Sequence, residues 1–237
     1  MEGIEKSQQD SFDNSFTEKR YKIIFIGDNC VGKTAIISRI ERNEFYDEIT
    51  IGIDFVTKII KYRGQNIKIQ LWDTTGQEKY KGLIPSYIRN TSIAFVVYDV
   101  SYKNSFNNVP SWINLIKSIA NPKIVLCGNK IDLTTREVEK REGEEYAKKE
   151  GFQFFEVSAL TNENIKLMFY SAIADLPSLF EGEINKESLI KELLEENEVG
   201  NNQMENNIQI SAPEKENTIN INGKKVVTKF KKRRCQC

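Results

Sequence analysis

The chain lacks histidine altogether, has only four cysteines and three methionines, and contains no apolar run of the roughly 18 residues that a membrane-spanning helix needs. Without histidine, histidine-based acid–base catalysis and histidine metal sites are excluded. The polar N-terminus does not resemble a secretory signal peptide, and four dispersed cysteines do not indicate a disulfide framework. Lys plus Arg and Asp plus Glu both number 34, which argues against a uniformly basic nucleic-acid-binding protein. We therefore expect a protein on the cytosolic side of membranes that binds no nucleic acid.

Short apolar runs alternate with helical patterns between residues 20 and 177. Near-continuous apolar strands, such as those at 93–100 and 123–130, indicate burial on both faces and are typical of a mostly parallel sheet. The strands at 53–64 and 65–73 are joined too tightly for a crossover helix, so they are predicted to pair antiparallel at one edge. The sequence predicts an α/β fold with a six-stranded, mostly parallel sheet, one antiparallel edge strand and helices on both faces.

Both ends of the chain are expected to lie outside this domain. Residues 1–19 are polar and are predicted to be a disordered N-terminal extension. Residues 178–237 are predicted to be a flexible tail, because 197–222 contain eight Asn and few large apolar groups. The apolar residues between 184 and 194 leave open either a partly helical linker or a short amphipathic helix.

A phosphate-binding pattern occupies Gly27–Thr34, where GDNCVGKT fits G-x-x-x-x-G-K-[ST] between a predicted strand and a predicted helix. Backbone N–H groups of such a loop point at phosphate oxygens, and Lys33 places its charge beside the β- and γ-phosphates. Thr34 offers a hydroxyl to Mg²⁺, which prefers oxygen ligands. The pattern predicts a nucleoside triphosphate site without naming the base. Its candidate binding residues are Asn29, Cys30, Val31, Gly32, Lys33, Thr34 and Ala35.

The segment WDTTGQE (72–78) follows the second strand after this loop. Asp73 can hold Mg²⁺ through water, and Gly76 can donate its N–H to a γ-phosphate. Gln77 can orient an attacking water, because its amide both donates and accepts hydrogen bonds. Gln77 is therefore the candidate catalytic residue.

Two further strand ends carry residues suited to a base. In GNKID (128–132), Asp132 can accept hydrogen bonds from N1–H and the 2-amino group of guanine, which adenine does not offer in that arrangement. Asn129 is expected to contact the base edge and hold neighbouring loops, and the aliphatic stem of Lys130 to cover the ring. In EVSAL (156–160), a backbone N–H near Ala159 could donate to guanine O6. The candidates from that segment are Ser158, Ala159 and Leu160.

These motifs, together with TIGIDF, occur in the order and spacing of Ras-like small GTPases. The segments KYKGLI, YIRNT and VVYDVS resemble those that mark the Rab family, and LIPSYIR is similar to its Golgi-associated branch. The resemblance covers residues 20–177 and implies a P-loop NTPase fold that alternates between GTP- and GDP-bound states, hydrolysing GTP slowly with Mg²⁺. It also implies a role in vesicle trafficking on the cytosolic face of endomembranes, of the Golgi or of vesicles, with a cytosolic pool.

The partners that the resemblance implies are effector proteins, a GTPase-activating protein, a guanine-nucleotide exchange factor, the prenylation machinery and a GDP-dissociation inhibitor, with the chain itself a monomer. By the same resemblance, Thr50 joins Thr34 and Asp73 as a ligand of Mg²⁺, and Phe45 packs edge-on against guanine. Ordinary core packing is the alternative for Trp72. The residues expected to face effectors are Ile51, Phe55, Trp72 and Tyr87.

Two departures from the family pattern bear on hydrolysis. Thr75 stands where the family has Ala, so it either slows hydrolysis, accepts the phosphoryl group itself, or is simply accommodated. Only residues 46–49 separate Phe45 from Thr50, about two fewer than usual, so the loop either wraps the nucleotide more tightly or does not stack Phe45 on the base. These departures keep open a GTP-dependent binding module that does not hydrolyse. A P-loop ATPase or kinase is the third interpretation, against which Asp132 argues.

The chain ends in KFKKRRCQC. Arg234 occupies the position that a C-a-a-X box would give to Cys. The ending instead resembles the Cys-X-Cys of Rabs, which implies geranylgeranyl groups on Cys235 and Cys237. Two lipid chains anchor stably where one binds marginally, and the basic residues 231–234 would add attraction to anionic lipids. A solvated basic tail or a nuclear signal is the alternative.

Overall fold

The structure is a computed structural model that describes residues 20–46, 53–63, 65–74, 84–176, 186–205, 218–221 and 224–227. The strands are β1 (Arg20–Ile26), β2 (Ile53–Tyr62), β3 (Gln65–Thr74), β4 (Ile93–Asp99), β5 (Lys123–Asn129), β6 (Gln153–Glu156), β7 (Thr218–Ile221) and β8 (Lys224–Val227). The helices are α1 (Lys33–Arg42), α2 (Ile84–Ile88), α3 (Lys103–Asn107), α4 (Val109–Ile119), α5 (Lys140–Glu150), α6 (Ile165–Ile173) and α7 (Lys186–Glu205).

Strands β1 to β6 form one sheet in the order β2-β3-β1-β4-β5-β6. β2 pairs antiparallel with β3, and the other neighbours pair parallel, which confirms the predicted fold class. In register, Phe25 of β1 lies opposite Asp73 of β3, and Asp99 of β4 lies opposite Asn129 of β5. The polar residues that end these strands therefore meet at the carboxyl edge of the sheet, where ligands bind in open α/β folds.

The central strands β4 and β5 are buried on both faces, as their apolar runs predict. Alternate residues of β1 enter different cores: Ile23 and Phe25 pack with α1 and α6, whereas Ile24 and Ile26 pack with α2 and α4. Every residue of β4 is buried. The sheet thus holds the loops at its carboxyl edge on a rigid support.

Local signals set the helix boundaries. α1 begins directly after Gly32 and ends at Asn43, a left-handed cap whose N–H donates to the Arg39 carbonyl. α5 begins directly after Glu139, which forms a capping box with Glu142. None of the helices in the described ranges is long and apolar enough to cross a membrane.

Helix α7 departs from the expected flexible tail. Leu189 and Leu193 are 2% and 0% exposed in the core that contains α1 and α6, and the helix packs against β2 and α6. Arg63, after β2, donates two hydrogen bonds of 3.2 Å to the carboxylate of Glu192. The apolar residues between 184 and 194 did not decide between a partly helical linker and a short amphipathic helix, because docking depends on contacts with β2 and α6 that no local pattern encodes. The strands β7 and β8 pair antiparallel within the predicted tail, and residues 1–19 lie outside the described ranges.

Candidate nucleotide-binding site

The loop between β1 and α1 depends on two glycines. Gly27 has φ +151°, and a Cβ there would lie 2.1 Å from the Val97 carbonyl oxygen. Gly32 has φ +93°, and a Cβ there would lie 2.3 Å from Nδ2 of Asn129. Both the backbone conformation and the close approach exclude a side chain, so the loop is held tightly against the ends of β4 and β5. A loop held in this conformation can direct its backbone N–H groups at a phosphate chain.

Lys33 is buried within this loop. It is 5% exposed, and its ammonium group donates to the carbonyl oxygens of Gly27 (3.1 Å) and Asp28 (2.6 Å). Burial lowers the pKa of Lys33 to about 8, although the negative charges of Asp73 and Asp28 act in the opposite direction. A desolvated ammonium gains strongly from an anionic ligand, so Lys33 is suited to a polyphosphate.

Thr34 and Asp73 bring two oxygen atoms together beside this lysine. The Thr34 hydroxyl donates to Oδ2 of Asp73 over 2.6 Å, and Asp73 is 7% exposed. Thr74 fixes the end of β3 by donating to the Phe25 carbonyl oxygen (2.7 Å). A hydroxyl and a carboxylate are the chemistry that Mg²⁺ prefers. The described residues contain no group of three or more His, Cys, Asp or Glu that could hold a metal, so Mg²⁺ here would complete its shell with other oxygens.

Asn129 joins three motifs through one side chain. It is 1% exposed, its Nδ2 donates to the Val31 carbonyl oxygen (2.9 Å), and its Oδ1 accepts from the Ala159 N–H (3.1 Å). The predicted role of Asn129 in holding neighbouring loops is therefore visible in its contacts. The amide of Ala159, a predicted donor to guanine O6, already donates within the protein.

Asp132 is oriented by the last predicted motif. The Ser158 hydroxyl donates to Oδ1 of Asp132 over 2.5 Å, and Ser158 is fully buried. Lys130 adopts a left-handed φ of +70°, and its ammonium group lies 2.7 Å from Oδ2 of Asp99 at the end of β4. The residues predicted to read a base therefore converge on one loop cluster, each with a partner that fixes its position.

Phe45 lies on the side of the molecule that carries this loop cluster. Its ring is 41% exposed, and the Arg39 guanidinium lies 5.9 Å from the ring centroid. Arg39 also donates to the carbonyl oxygens of Ala159 and Leu160, each over 2.7 Å. This position is compatible with a base contact, which stays a prediction.

The sequence profile of the Ras family matches residues 22–178, about two thirds of the chain. The chain belongs to the Ras family. As a small GTPase of this family it is expected to bind GTP and GDP, typically with Mg²⁺, and to interact with effectors, GTPase-activating proteins and exchange factors. The match ends eight residues before α7, so this helix lies outside the segment that the Ras family profile covers.

The remaining predicted residues fall into three groups. In this Ras-family chain, Val31 and Ala35 are buried in the core, whereas Asn29 is exposed and Cys30 is half-buried. Lipidation and switch predictions fall outside the described residues. The predicted residues that lie outside the described ranges are Thr50, Ile51, Thr75, Gly76, Gln77, Cys235 and Cys237.

Three of the predicted effector-facing residues form one aromatic cluster. Phe55 stacks on Trp72 with ring centroids 4.8 Å apart, and Trp72 meets Tyr87 at 5.4 Å. The Lys22 ammonium lies 4.5 Å from the Trp72 ring centroid. Phe55 is 45% exposed, while Trp72 and Tyr87 also pack against the core. Trp72 thus has the core packing stated as its alternative, and its contact with effectors stays a prediction.

Sequence reasoning missed several residues that hold this Ras-family site together. Asp28, Asn108 and Trp112 link the phosphate loop to α4, and Arg136 pairs with Glu156 behind the base-side loops. Asp99, which pairs with Lys130, was also missed. Each pair joins residues that are distant in sequence, and Asn108, Trp112, Arg136 and Asp99 lie outside the ligand-binding motifs. Only the apolar pattern that places Trp112 on the inner face of α4 was available as a signal.

Proposed function

We propose that this chain is a Rab-type GTPase that hydrolyses GTP to GDP and phosphate and regulates vesicle trafficking through effector proteins. The observation that carries the nucleotide part is the buried Lys33, with the Thr34–Asp73 pair at one end of the site and Asp132 at the other. A buried cation with an oxygen pair suits a polyphosphate and Mg²⁺. An oriented carboxylate at the far end suits guanine.

Each residue has a separate part in the proposed reaction. Lys33 and the loop N–H groups bind the phosphates, and Thr34, Asp73 and Thr50 would hold Mg²⁺. Bound Mg²⁺ would neutralise charge on the phosphate oxygens. Gln77 orients the attacking water by donating to one oxygen and accepting from the water. Intrinsic hydrolysis is expected to be slow, because the arginine that stabilises the charge of the transition state is supplied by an activating protein.

Guanine selection rests on Asp132. Its carboxylate would accept from N1–H and the 2-amino group, while Ser158 holds it in place (2.5 Å). The stem of Lys130 would cover the ring, with its ammonium group paired to Asp99. Adenine presents no pair of donors in that arrangement, so the site should reject it.

The nucleotide content of the purified protein tests this proposal directly. We expect the purified protein to release GDP or GTP on denaturation. After removal of the bound nucleotide, the folded protein should bind guanosine di- and triphosphates far more tightly than the adenosine forms. Chelation of Mg²⁺ should weaken binding. Binding of ATP and GTP with equal affinity would contradict the guanine proposal, and binding that ignores Mg²⁺ would contradict the metal role of Thr34 and Asp73.

A GTP-dependent binding module without hydrolysis is the second candidate, and Thr75 is the observation that favours it. Single-turnover assays would compare the natural chain with Thr75→Ala and with Gln77→Leu. A hydrolysing switch predicts phosphate release that Gln77→Leu abolishes. If Thr75 itself accepts the γ-phosphoryl group, GTP labelled there leaves label on the protein, and Thr75→Ala removes it. No phosphate release even with an activating protein would favour the binding module.

The aromatic cluster of Phe55, Trp72 and Tyr87 is the proposed effector surface. Aromatic side chains with one exposed face are typical of contact surfaces, and Lys22 adds a charge beside the Trp72 ring. Phe55→Ala should weaken GTP-dependent capture of effectors while leaving nucleotide affinity unchanged. Capture that does not depend on Phe55 would place effectors elsewhere.

Membrane attachment is proposed to depend on Cys235 and Cys237. The double change Cys235→Ser with Cys237→Ser should move the protein from the membrane pellet to the supernatant, because two prenyl chains supply most of the binding free energy. Nucleotide binding serves as the folding control. A double variant that still pellets with membranes would contradict the lipid anchor.

A further inference from the structure

Asp28 turns its carboxylate away from the phosphate loop to which it belongs. Oδ1 accepts a hydrogen bond from the indole Nε1–H of Trp112 (2.7 Å), and Oδ2 accepts one from the amide of Asn108 (2.7 Å). Both donors lie at the start of α4, 80 and 84 residues away along the chain. Asp28 is thus bound on both carboxylate oxygens to a different element of the fold.

The donors stand on rigid structure. Asn108 is the C-cap of α3 and the N-cap of α4. Its backbone carbonyl accepts hydrogen bonds from the backbone N–H groups of Ser111 and Trp112. Trp112 is 6% exposed and packs in the core with Ile113 and Ile116. A carboxylate bound to such donors has little freedom, and neither has the loop residue that carries it.

The backbone of Asp28 contacts Lys33, the residue proposed to bind the phosphates. Its carbonyl oxygen accepts from the Lys33 ammonium over 2.6 Å. Asp28 therefore lies between α4 and Lys33, in a loop that also holds Gly27 and Cys30 at positive φ. A loop in this conformation needs contacts that restrain it, because conformational entropy that the loop gains when the ligand leaves favours release.

Electrostatics alone would not place a carboxylate here. A negative charge next to bound phosphates repels them, so removing it should strengthen nucleotide binding. We propose instead that Asp28 is a positioning residue of the phosphate loop, held by Asn108 and Trp112, which slows the release of guanine nucleotide. This inference rests on the proposed guanine-nucleotide function.

The two views predict opposite signs for one measurement, the dissociation rate of a fluorescent GDP in the presence of Mg²⁺. Asp28→Ala removes the charge and both acceptors. Positioning predicts release about tenfold faster, as expected for loss of hydrogen bonds to a charged group, whereas charge repulsion predicts slower release. Asp28→Asn retains an acceptor for Trp112 and can pair with a rotated Asn108 amide, so its release should be slower than that of Asp28→Ala.

The donors supply the matched variants. Trp112→Phe keeps the buried ring and removes the N–H, and Asn108→Ala removes the amide. Each should speed release about threefold, and each should have a smaller effect when Asp28 is already Ala. Asn107→Ala, an exposed neighbour at the end of α3, is the control and should release GDP at the natural rate.

Tryptophan emission provides a readout that a purely structural role would not move. The chain has two tryptophans, so in a Trp72→Phe background the signal belongs to Trp112. Its emission should shift on Asp28→Ala and should change when GDP dissociates. Unchanged or slower release in Asp28→Ala and Trp112→Phe, with natural binding intact, would overturn the positioning role. Failure of the natural chain to bind any guanine nucleotide would overturn the proposed function, and this inference with it.

Discussion

The two ends of the nucleotide site are held by different forces. At the phosphate end, backbone geometry at Gly27 and Gly32 shapes the loop, and the buried charge of Lys33 supplies the attraction. At the base end, Asp132 is held by the Ser158 hydroxyl. The contribution of the phosphate end to nucleotide affinity should therefore depend on pH. The contribution of the base end should depend on the identity of single side chains.

The largest expected effect is at the base end. Asp132→Asn replaces two acceptors for guanine by a group that presents a donor, so affinity for GDP should fall at least about a hundredfold. Isothermal titration at constant Mg²⁺ would measure it. The Mg²⁺ dependence should be the same in both proteins, since Thr34 and Asp73 are untouched. An Asp132→Asn protein that binds GDP as tightly as before would remove the carboxylate from base recognition.

The next effect sharpens the contrast at the phosphate end. Burial lowers the pKa of Lys33 to about 8, and a bound polyphosphate favours its charged form. The affinity for GDP should therefore fall about tenfold between pH 7 and pH 9 in the natural chain. Asp132→Asn should retain this pH dependence at its lower affinity. A flat profile would show that the Lys33 ammonium does not titrate in this range.

The lowered pKa of Lys33 also makes the free energy of unfolding depend on pH. In the unfolded chain Lys33 keeps its ordinary pKa near 10.5, so between about pH 8 and 10.5 the unfolded state binds more protons than the folded one. The contribution of Lys33 to the free energy of unfolding should rise with pH across that window in the nucleotide-free protein. Lys123, whose pKa burial also lowers to about 8, adds to the same trend, whereas the raised pKa of the buried Cys127 thiol opposes it at the upper end of the window. The contribution of Lys33 is therefore the difference between the natural chain and Lys33→Met, measured by denaturant unfolding at several pH values. A difference that declines through the window would contradict it.

The smallest effect concerns the support behind the base end. Arg136 donates to both carboxylate oxygens of Glu156, over 2.6 and 3.1 Å, and joins the loop after β5 to the end of β6. Glu156→Gln should weaken GDP binding about twofold to fivefold, as expected for a partly exposed ion pair. Glu145→Gln breaks the exposed pair with Arg141 on α5 and is the matched control. Equal effects of the two changes on GDP affinity would contradict the supporting role.

The sequence predicts the framework well because the framework is periodic. Apolar strands and helical spacing predicted the succession of β1 to β6 along the chain, and the glycine-bounded loop predicted where α1 begins. The candidate residues Lys33, Thr34, Asp73, Asn129 and Asp132 meet at one edge of the sheet because parallel strands all end there. These inferences needed only local patterns in the sequence.

Long-range partners could not be predicted in the same way. The hydrogen bond from Trp112 to Asp28 depends on how α4 crosses the sheet, which no local pattern encodes. The pair of Lys130 and Asp99 depends on the register of β4 against β5. The docking of α7 depends on an apolar surface beside β2 that is only complete after the domain has folded.

Helix α7 changes where this domain can be cut. A fragment ending at residue 177 would keep every nucleotide-binding motif yet lose Leu189 and Leu193, leaving the apolar surface beside Ile60 facing water. Such fragments should aggregate on concentration, whereas fragments reaching residue 196 should remain dispersed. Recombinant work on the catalytic unit would then have to carry a helix that its family profile does not include.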